Sequence, residues 1–214
     1  MSHKNLQREE KVLQREESSP PICAGMRPRD RIVVKARDLF HQHGIRGIGV
    51  DAIAEAAGTN KMTLYRHFGS KDDLIVECLQ KAVDEARASW EELEAEHPGD
   101  ALAQLHAWVR AGAACIETDG RGCEMANAAV ELTEAGHPAR RLIEDFKTAY
   151  RNRLARLCSD AGLAQPDLVA DTLALLIEGA RVSRQSVGAE GPSARFLRMA
   201  EAIIASFGKR EPVA

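Results

Sequence analysis

The chain has 214 residues, of which 44% are hydrophobic, and a net charge of −3, a composition typical of an ordinary globular protein. It contains neither a long apolar run nor an apolar segment near its N-terminus, so no membrane span or secretory signal is predicted and the expected location is the cytoplasm. Its five cysteines, an odd number without any C-x-x-C pair, argue against a disulfide framework or a zinc site, and no metal or cofactor is predicted.

The charges are unevenly distributed along the chain. Residues 28–72 carry eight Lys or Arg against five Asp or Glu, whereas residues 73–214 carry sixteen against twenty-three. A basic segment joined to an acidic body is typical of a small polyanion-binding unit attached to a larger domain with another task. We therefore predict two domains, 28–72 and 73–214, preceded by a disordered segment, 1–27, that has few apolar residues.

From Pro28 onward the spacing of apolar residues is helical almost everywhere. Pro28 suits the first position of a helix, and Gly44 suits the cap at its C-terminus. The segment "VDAIAEAA" forms a short helix that ends at Gly58, and Asn60 can cap the next one, "KMTLYRHF". "SKDD" at 70–73 has the form of a capping box that opens a long helix.

Later breaks in the pattern are formed by Gly and Pro clusters such as "EHPGD", "EAGHPA" and "GAEGPS". They divide 97–208 into about five more helices, and no segment alternates with the period of two expected of a strand. The sequence thus predicts an all-α fold of about nine helices, with a small three-helix N-terminal domain and a larger C-terminal helical domain.

The two short helices on either side of Gly58 have the layout of a helix-turn-helix unit. In such units the second helix enters the major groove of DNA, and residues near its N-terminus reach the edges of the bases. Leu64 and Phe68 would bury one side of that helix and leave its polar residues at the surface. Taken alone, such a surface is more often solvated than functional, but in this setting double-stranded DNA accounts for it.

The stretch "IAEAAGTNKMTLYRHFGSKDDL" resembles the DNA-binding signature of TetR-type (tetracycline-repressor-like) transcriptional regulators, in its I-A…A-G, T-L-Y-x-H-F and S-K-x-x-L elements. The resemblance extends from about Arg29 to Leu79. It implies base contacts from Lys61 and Met62, since Lys can donate to guanine and Met can touch a thymine methyl group. The residues for which it implies phosphate contacts are Thr63, Tyr65, His67 and Lys71.

The same resemblance implies that residues 73–214 bind a small-molecule effector and form a homodimer through the last two helices. "RFLRMAEAIIASF" carries one apolar stripe, and "PDLVADTLALLIEGARV" is apolar over more than one face, as a helix between a core and a partner would be. A core within one monomer is the alternative explanation. The predicted interface residues are Leu173, Ile177, Ala180, Phe196, Met199, Ile203 and Phe207.

Candidate residues for the effector pocket come from the middle helices. Most are apolar or aromatic, and packing within the core is the competing explanation for each of them. Asn127 and Glu131 add polarity to a mostly apolar helix, where they could orient a ligand or simply face water. The predicted pocket residues are Trp108, Ile116, Met125, Asn127, Glu131, Phe146, Tyr150 and Ile177.

The predicted function is that of a DNA-binding regulator, a repressor released from a palindromic operator by a small, largely apolar ligand. One alternative is a thiol- or metal-responsive regulator, since Cys115 and Cys123 lie eight residues apart across a turn and could meet. A helical enzyme is the third candidate, although the sequence has no His-x-x-x-His, G-x-S-x-G or P-loop pattern.

Overall fold

The computed structural model describes residues 25–208, and within that range the chain forms nine α-helices and one short 3₁₀ helix but no β-strand. The predicted all-α fold of about nine helices is thereby confirmed, whereas the predicted disordered segment lies almost entirely outside the described residues. No helix in this part of the chain combines the length and the apolar character needed to cross a membrane. The helices are α1 (Pro28–His43), α2 (Val50–Ala56), α3 (Lys61–Phe68), α4 (Lys71–Glu96), α5 (Ala101–Thr118), α6 (Glu124–Glu131), α7 (Pro138–Asp160), α8 (Pro166–Val187) and α9 (Phe196–Phe207), with the 3₁₀ helix at Pro192–Arg195.

The ends of the first helices follow from local residues, as predicted. Pro28 occupies the first turn of α1, and Gly44 ends it with a φ of 81°, a conformation that favours glycine, while its N–H donates to the Phe40 carbonyl at 2.9 Å. The side chain of Asn60 caps α3 by accepting a hydrogen bond from the Thr63 backbone N–H at 2.9 Å.

The cap of α4 is only half of the predicted capping box. Ser70 Oγ accepts a hydrogen bond from the Asp73 backbone N–H at 3.0 Å, as expected. The Asp73 carboxylate, however, accepts the Ser70 hydroxyl at 2.7 Å, while the Ser70 backbone N–H donates to the Phe68 carbonyl at 2.7 Å. The Asp73 carboxylate thus bonds the Ser70 hydroxyl instead of the Ser70 backbone N–H. That N–H is satisfied by a backbone carbonyl in the turn between α3 and α4.

Buried apolar residues form two clusters. The first joins α1, α2, α3 and the beginning of α4, and it continues onto α6 and α7 through Met125, Ala128 and Ile143. The second joins the far half of α4 to α5, α7, α8 and α9 around Trp108 and Phe196. Helix α4, about 39 Å long at 1.5 Å per residue, contributes to both clusters. The division into domains 28–72 and 73–214 stays a prediction. Helix α6 packs against the predicted DNA-reading unit, which consists of α1, α2 and α3.

Candidate nucleic-acid interface and effector cavity

Helices α2 and α3 are separated by a tight turn at Gly58. The φ of Gly58 is 61°, and the Thr59 backbone N–H donates to the Ala54 carbonyl at 2.9 Å. Leu64 and Phe68 are buried in the first cluster, as predicted for one side of α3. Because this side is held against the rest of the unit, the opposite side of α3 is presented to solvent.

The predicted DNA contacts on α3 lie at or near the surface. Met62 is 81% exposed, Lys61, Tyr65 and His67 are also exposed, and Thr63 is partly buried. An apolar side chain as exposed as Met62 is well placed for an apolar contact with a base, although surface exposure alone does not assign one.

Lys61 already has a partner within the protein. Its ammonium group lies 3.0 Å from Asp51 Oδ2 on α2, and this hydrogen bond raises the pKa of Lys61. Both side chains are exposed, and ion pairs of this kind contribute little to stability. Lys61 can therefore exchange Asp51 for an acceptor on DNA at small cost.

Lys71 has a structural role that sequence reasoning missed. Its ammonium group donates to the carbonyls of Ile45 and Ile48, both at 2.6 Å, and lies 5.7 Å from the centre of the Phe40 ring. Burial lowers the pKa of Lys71. The side chain thus ties the loop after α1 to the start of α4. A phosphate contact at Lys71 stays a prediction, best suited to its backbone N–H in the first turn of α4.

A cleft of about 400 Å³ opens between α4, α5, α7 and α8, with the start of α6 on its wall. Met125, Phe146, Tyr150 and Ile177, all predicted pocket residues, line it. The volume falls in the lower part of the range of about 300–1,000 Å³ usual for small-molecule sites. Charged groups and thiols complete the wall: Glu85, Cys115, Asp119, Cys123, Glu124, Lys147, Arg151, Glu178 and Arg181.

The other predicted pocket residues do not line this cleft. Trp108 and Ile116 are buried in the second cluster. Trp108 contacts the cleft residue Tyr150, since its Nε1 donates to the Tyr150 hydroxyl at 2.8 Å. Asn127 and Glu131 lie one turn apart on the side of α6 that faces α1, beside a void of only about 30 Å³. A role for these four residues in an effector pocket stays a prediction. In this structure Trp108 and Ile116 pack in the second cluster, Asn127 donates to the Arg121 carbonyl, and Glu131 accepts the Arg46 backbone N–H.

Arg37 of α1 joins the DNA-reading unit to the cleft. Its guanidinium forms a two-pronged pair with Glu124 of α6, at 2.8 and 2.9 Å, and also binds Glu85 of α4. Hydrogen bonds to Glu85 and Glu124 hold the pKa of Arg37 above its ordinary value, against the effect of burial. Since both carboxylates line the cleft, a molecule in the cleft would lie beside the partners of α1.

Further polar contacts join α1 and its loop to the segment around α6. His41 Nε2 lies 3.0 Å from Asp119 Oδ1, and the Arg46 backbone N–H donates to Glu131 Oε2 at 3.0 Å. The Arg46 guanidinium also lies 2.8 Å from Glu134 Oε1. The segment that follows α5 is thus attached to the DNA-reading unit at several points, which sequence reasoning could not find because the partners are more than 70 residues apart.

The predicted dimer-interface residues differ in how far they are buried within the single chain. Leu173, Ile177, Ala180 and Phe196 are buried within the single chain, where α5 approaches so closely at Gly112 that an added Cβ would lie 2.8 Å from Ile177 Cδ1. These four residues belong to the core of one chain, and their place in a dimer interface stays a prediction. Met199 is exposed, and Ile203 and Phe207 are partly buried, so these three stay predictions.

A different apolar surface remains uncovered on the last two helices. Leu168, Leu175 and Val182 are exposed at seven-residue spacing along α8, and Leu197 and Met199 are exposed on α9. In the described part of the chain, most of the exposed large apolar side chains belong to these two helices. Such a concentration is typical of an interaction surface.

The four cysteines within the described residues fall into two groups. Cys78 and Cys158 are buried, which raises the pKa of Cys78 to about 12 and that of Cys158 to about 11. Cys115 and Cys123 both line the cleft, and Cys123 Sγ lies 3.7 Å from Lys147 Nζ. Within residues 25–208, no group of three or more His, Cys, Asp or Glu side chains is placed to hold a metal ion.

Comparison with known proteins identifies the same kind of unit. Residues 32–78 match the family described as bacterial regulatory proteins of the tetR family. The chain is 39% identical over 56 residues to the helix-turn-helix-type transcriptional activator FasR of Mycolicibacterium smegmatis, an alignment that covers 26% of each protein. It is 26% identical over 187 residues to the transcriptional repressor DhaR of Mycobacterium sp. strain GP1, covering 83% of this chain and 93% of DhaR.

Solved structures extend the similarity to most of the fold. The crystal structure of a TetR-family transcriptional regulator from Streptomyces coelicolor matches with a TM-score of 0.79 and 28% identity, covering 85% of this chain and 96% of that one. A TetR-family regulator from Agrobacterium tumefaciens has the same fold, with a TM-score of 0.74 and 21% identity over 85% of this chain and 98% of that one.

Proposed function

Since the chain belongs to the TetR family of transcriptional regulators, we propose that it is a homodimeric repressor that a small, largely apolar molecule releases from a palindromic operator. The observation that carries this proposal is the Arg37 contact, in which one guanidinium of α1 binds two carboxylates, Glu85 and Glu124, that line the cleft. The proposed effector site and the DNA-reading unit therefore share one set of contacts. Members of this family are regulators rather than enzymes.

Repression is favoured over activation by the extent of the two alignments. The activator FasR matches this chain over 56 residues only, whereas the repressor DhaR matches it over 187 residues, which include most of 73–214, the proposed effector domain. We expect the protein to act in the cytoplasm because its proposed partner, operator DNA, is there.

Two copies of α3 would read the operator. In helix-turn-helix dimers the recognition helices enter major grooves one helical turn or a multiple apart, so the operator is expected to be a pseudo-palindrome. Lys61 and Met62, at the start of α3, are proposed to contact bases, and Thr63, Tyr65, His67 and the Lys71 backbone to contact phosphates. The exposed side of α3 supports this assignment.

Lys61→Ala tests the proposed base contact. We expect it to weaken binding to the operator by about 1–3 kcal/mol and to relax the preference at one base pair. Tyr65→Phe should instead weaken binding to every sequence by about 1 kcal/mol, because one phosphate hydrogen bond is lost. Fluorescence anisotropy on an operator recovered from random duplexes, and on an unrelated duplex, measures both effects.

Asp51→Asn is the matched control for Lys61, because it removes the negative charge beside the ammonium group and leaves Lys61 in place. We expect operator binding by Asp51→Asn to be unchanged or slightly tighter. If Lys61→Ala weakened binding to the operator and to the unrelated duplex equally, Lys61 would be a phosphate contact and not a base reader.

The route from the cleft to the DNA uses two helices. Helix α4 follows directly on α3 and lines the cleft at Glu85, and α6 packs on α1 and lines the cleft at Met125. A molecule that separates α4 from α6 cannot leave both of the Arg37 pairs intact. A tenfold loss of DNA affinity needs a difference of about 1.4 kcal/mol in the binding of the effector to the two states, and operator DNA must weaken effector binding by the same factor.

Arg37→Gln tests this route. We expect the variant to bind operator within about threefold of the wild type, but the effector-induced loss of affinity should fall from at least tenfold to less than threefold, since the link between α1 and the cleft is gone. The measurement is operator affinity with and without the molecule that releases the wild-type protein most strongly in a small-molecule screen.

Arg153→Gln is the control for Arg37→Gln. Arg153 of α7 also forms an ion pair, with Glu94 of α4 at 2.6 Å, but it does not line the cleft or reach α1. We expect the response to the effector to survive Arg153→Gln. An undiminished response in Arg37→Gln would mean that the signal travels through α4 without this contact.

A thiol-responsive regulator is the second candidate, and the position of Cys115 and Cys123 on one cleft wall favours keeping it. Oxidation or alkylation of either thiol would place new atoms in the cleft, in the region where an effector is proposed to bind. Loss of operator binding on peroxide treatment, reversed by dithiothreitol and absent in Cys123→Ser, would support this candidate over a reversible ligand.

A further inference from the structure

Arg181 of α8 is the exception among the charged residues on the wall of the cleft. It forms no hydrogen bond or ion pair with any group in the part of the chain that the structure describes, although it is partly buried. Every other charged group on the wall has a partner. These pairs are Glu85 and Glu124 with Arg37, Asp119 with His41, Glu178 with Lys147, and Arg151 with Asp167 and Asp171.

Tyr150 presents a second donor to the same cleft. Its hydroxyl oxygen accepts a hydrogen bond from Trp108 Nε1 at 2.8 Å, and a phenol also has one proton to donate. Among residues 25–208, no acceptor for that proton is found. Burial raises the pKa of Tyr150, and the nearby positive charge of Arg181 opposes this shift, so the hydroxyl is a neutral donor beside a cation.

Apolar side chains form another part of the wall. Met125 lies on one side, Phe146 on α7, and Ala174 and Ile177 on α8, the helix that also carries Arg181. An apolar body with one anionic group would therefore meet both the apolar wall and the two donors without partners. A guanidinium binds a carboxylate through two parallel hydrogen bonds, which gives orientation as well as affinity.

We propose that the cleft binds an amphipathic carboxylate, whose apolar chain or ring lies along Met125, Phe146 and Ile177 and whose carboxylate accepts hydrogen bonds from Arg181 and Tyr150. The ligand class goes beyond the proposed function, and only its effect on DNA rests on that function. An amphipathic amine is the alternative ligand class, because two carboxylates on the wall, those of Glu85 and Glu124, have only the guanidinium of Arg37 as their common partner. It would first have to displace a guanidinium with hydrogen bonds to both carboxylates, whereas the carboxylate meets donors that have no partner.

Matched ligands that differ only in their head group test the proposal. The probes are octanoate, 1-octanol and octylamine, and a second set of 4-phenylbutyrate, 4-phenylbutanol and 4-phenylbutylamine. The fluorescence of Trp90 and Trp108, the two tryptophans of the chain, reports binding, because Trp108 is hydrogen-bonded to Tyr150 and both rings pack on it. Calorimetry repeats each titration, so that a complex without a fluorescence change is also detected.

We expect at least one carboxylate to bind about tenfold or more tightly than its alcohol, as hydrogen bonds to a charged group predict. Arg181→Gln should weaken that carboxylate roughly 10- to 100-fold and leave the alcohol unchanged. The affinity of Arg181→Lys for the carboxylate should lie between those of the wild type and Arg181→Gln, because lysine keeps the positive charge but lacks the planar guanidinium. Arg184→Gln, one turn along α8 and outside the cleft, is the control and should bind like the wild type.

Three results would overturn the proposal: no binding of either carboxylate to the wild type, equal or tighter binding of the alcohol or the amine, or an undiminished carboxylate affinity in a folded Arg181→Gln protein. These titrations need no DNA, so they stand apart from the proposed function. A carboxylate that binds through Arg181 but does not release the operator would uphold the ligand class and contradict the proposed response. A ligand that releases the operator equally well from the wild type and from Arg181→Gln would uphold the proposed response and contradict the ligand class.

Discussion

Val182→Glu is expected to convert the proposed dimer into monomers and to weaken operator binding roughly 100- to 10,000-fold, the range by which linking two weak sites raises affinity. Val182 is 59% exposed and Leu175, one heptad before it on α8, is 71% exposed. If this surface is the dimer interface, each Val182→Glu protomer places a carboxylate in an apolar contact, where an unpaired charge is strongly unfavourable. Each monomer would then hold only one half-site.

Val130→Glu is the matched control for this change. Val130 is 77% exposed but lies on α6, away from the apolar surface of α8 and α9, so its replacement should leave both the dimer and the operator affinity unaltered. Sedimentation equilibrium gives the oligomeric state, and a titration with operator gives the affinity. A Val182→Glu protein that stays dimeric and binds operator like the wild type would place the interface elsewhere.

Leu64→Ala is expected to lower the free energy of unfolding of the DNA-reading unit by about 2–5 kcal/mol. Leu64 is fully buried in the first cluster, and its truncation leaves a cavity between α3 and the helices that support it. Operator binding should fall with the folded fraction. Urea unfolding measured by circular dichroism gives the change, and Met62→Ala, on the exposed side of the same helix, should stay within about 0.5 kcal/mol of the wild type.

The effect of Leu64→Ala should not be confined to α3. Because α6 contributes Met125 and Ala128 to the same cluster, hydrogen exchange in α6 should rise together with that in α3. Faster exchange in α2 and α3 with an unchanged α6 would mean that the DNA-reading unit opens independently of the effector domain. Proposals that route the signal through α6 would then lose their support.

Local features of the fold could be predicted because each depends on residues close together in the chain. Gly44 ends α1, Asn60 caps α3 and Ser70 caps α4 through groups three or four residues away. The buried side of α3 was predictable from the spacing of Leu64 and Phe68. The pattern of apolar residues and breaks, together with the resemblance of one short stretch, was enough for the all-α fold and the family.

Side chains with more than one possible neighbour could not be assigned in this way. Lys71 follows a helix cap, where an anion is the expected partner, yet its ammonium group binds the carbonyls of Ile45 and Ile48 because the loop after α1 folds over it. Asn127 and Glu131 are polar residues on an apolar helix, and only the packing of α6 between α1 and the cleft decides that they face α1.

By itself, then, the sequence determined the helices, the helix-turn-helix unit and the surface of α3, since these follow from hydrogen bonds and periodicity within about a dozen residues. Only the tertiary structure decided which face of each helix is covered. Leu173 and Leu175 are two residues apart on α8, yet one is fully buried and the other exposed, because α5 and α9 pack on one side of the helix. Arg37 and Glu124 are 87 residues apart, and their pairing exists only because α1 and α6 meet. Apolar periodicity shows that a helix has a covered face, but the identity of what covers it depends on contacts between distant parts of the chain.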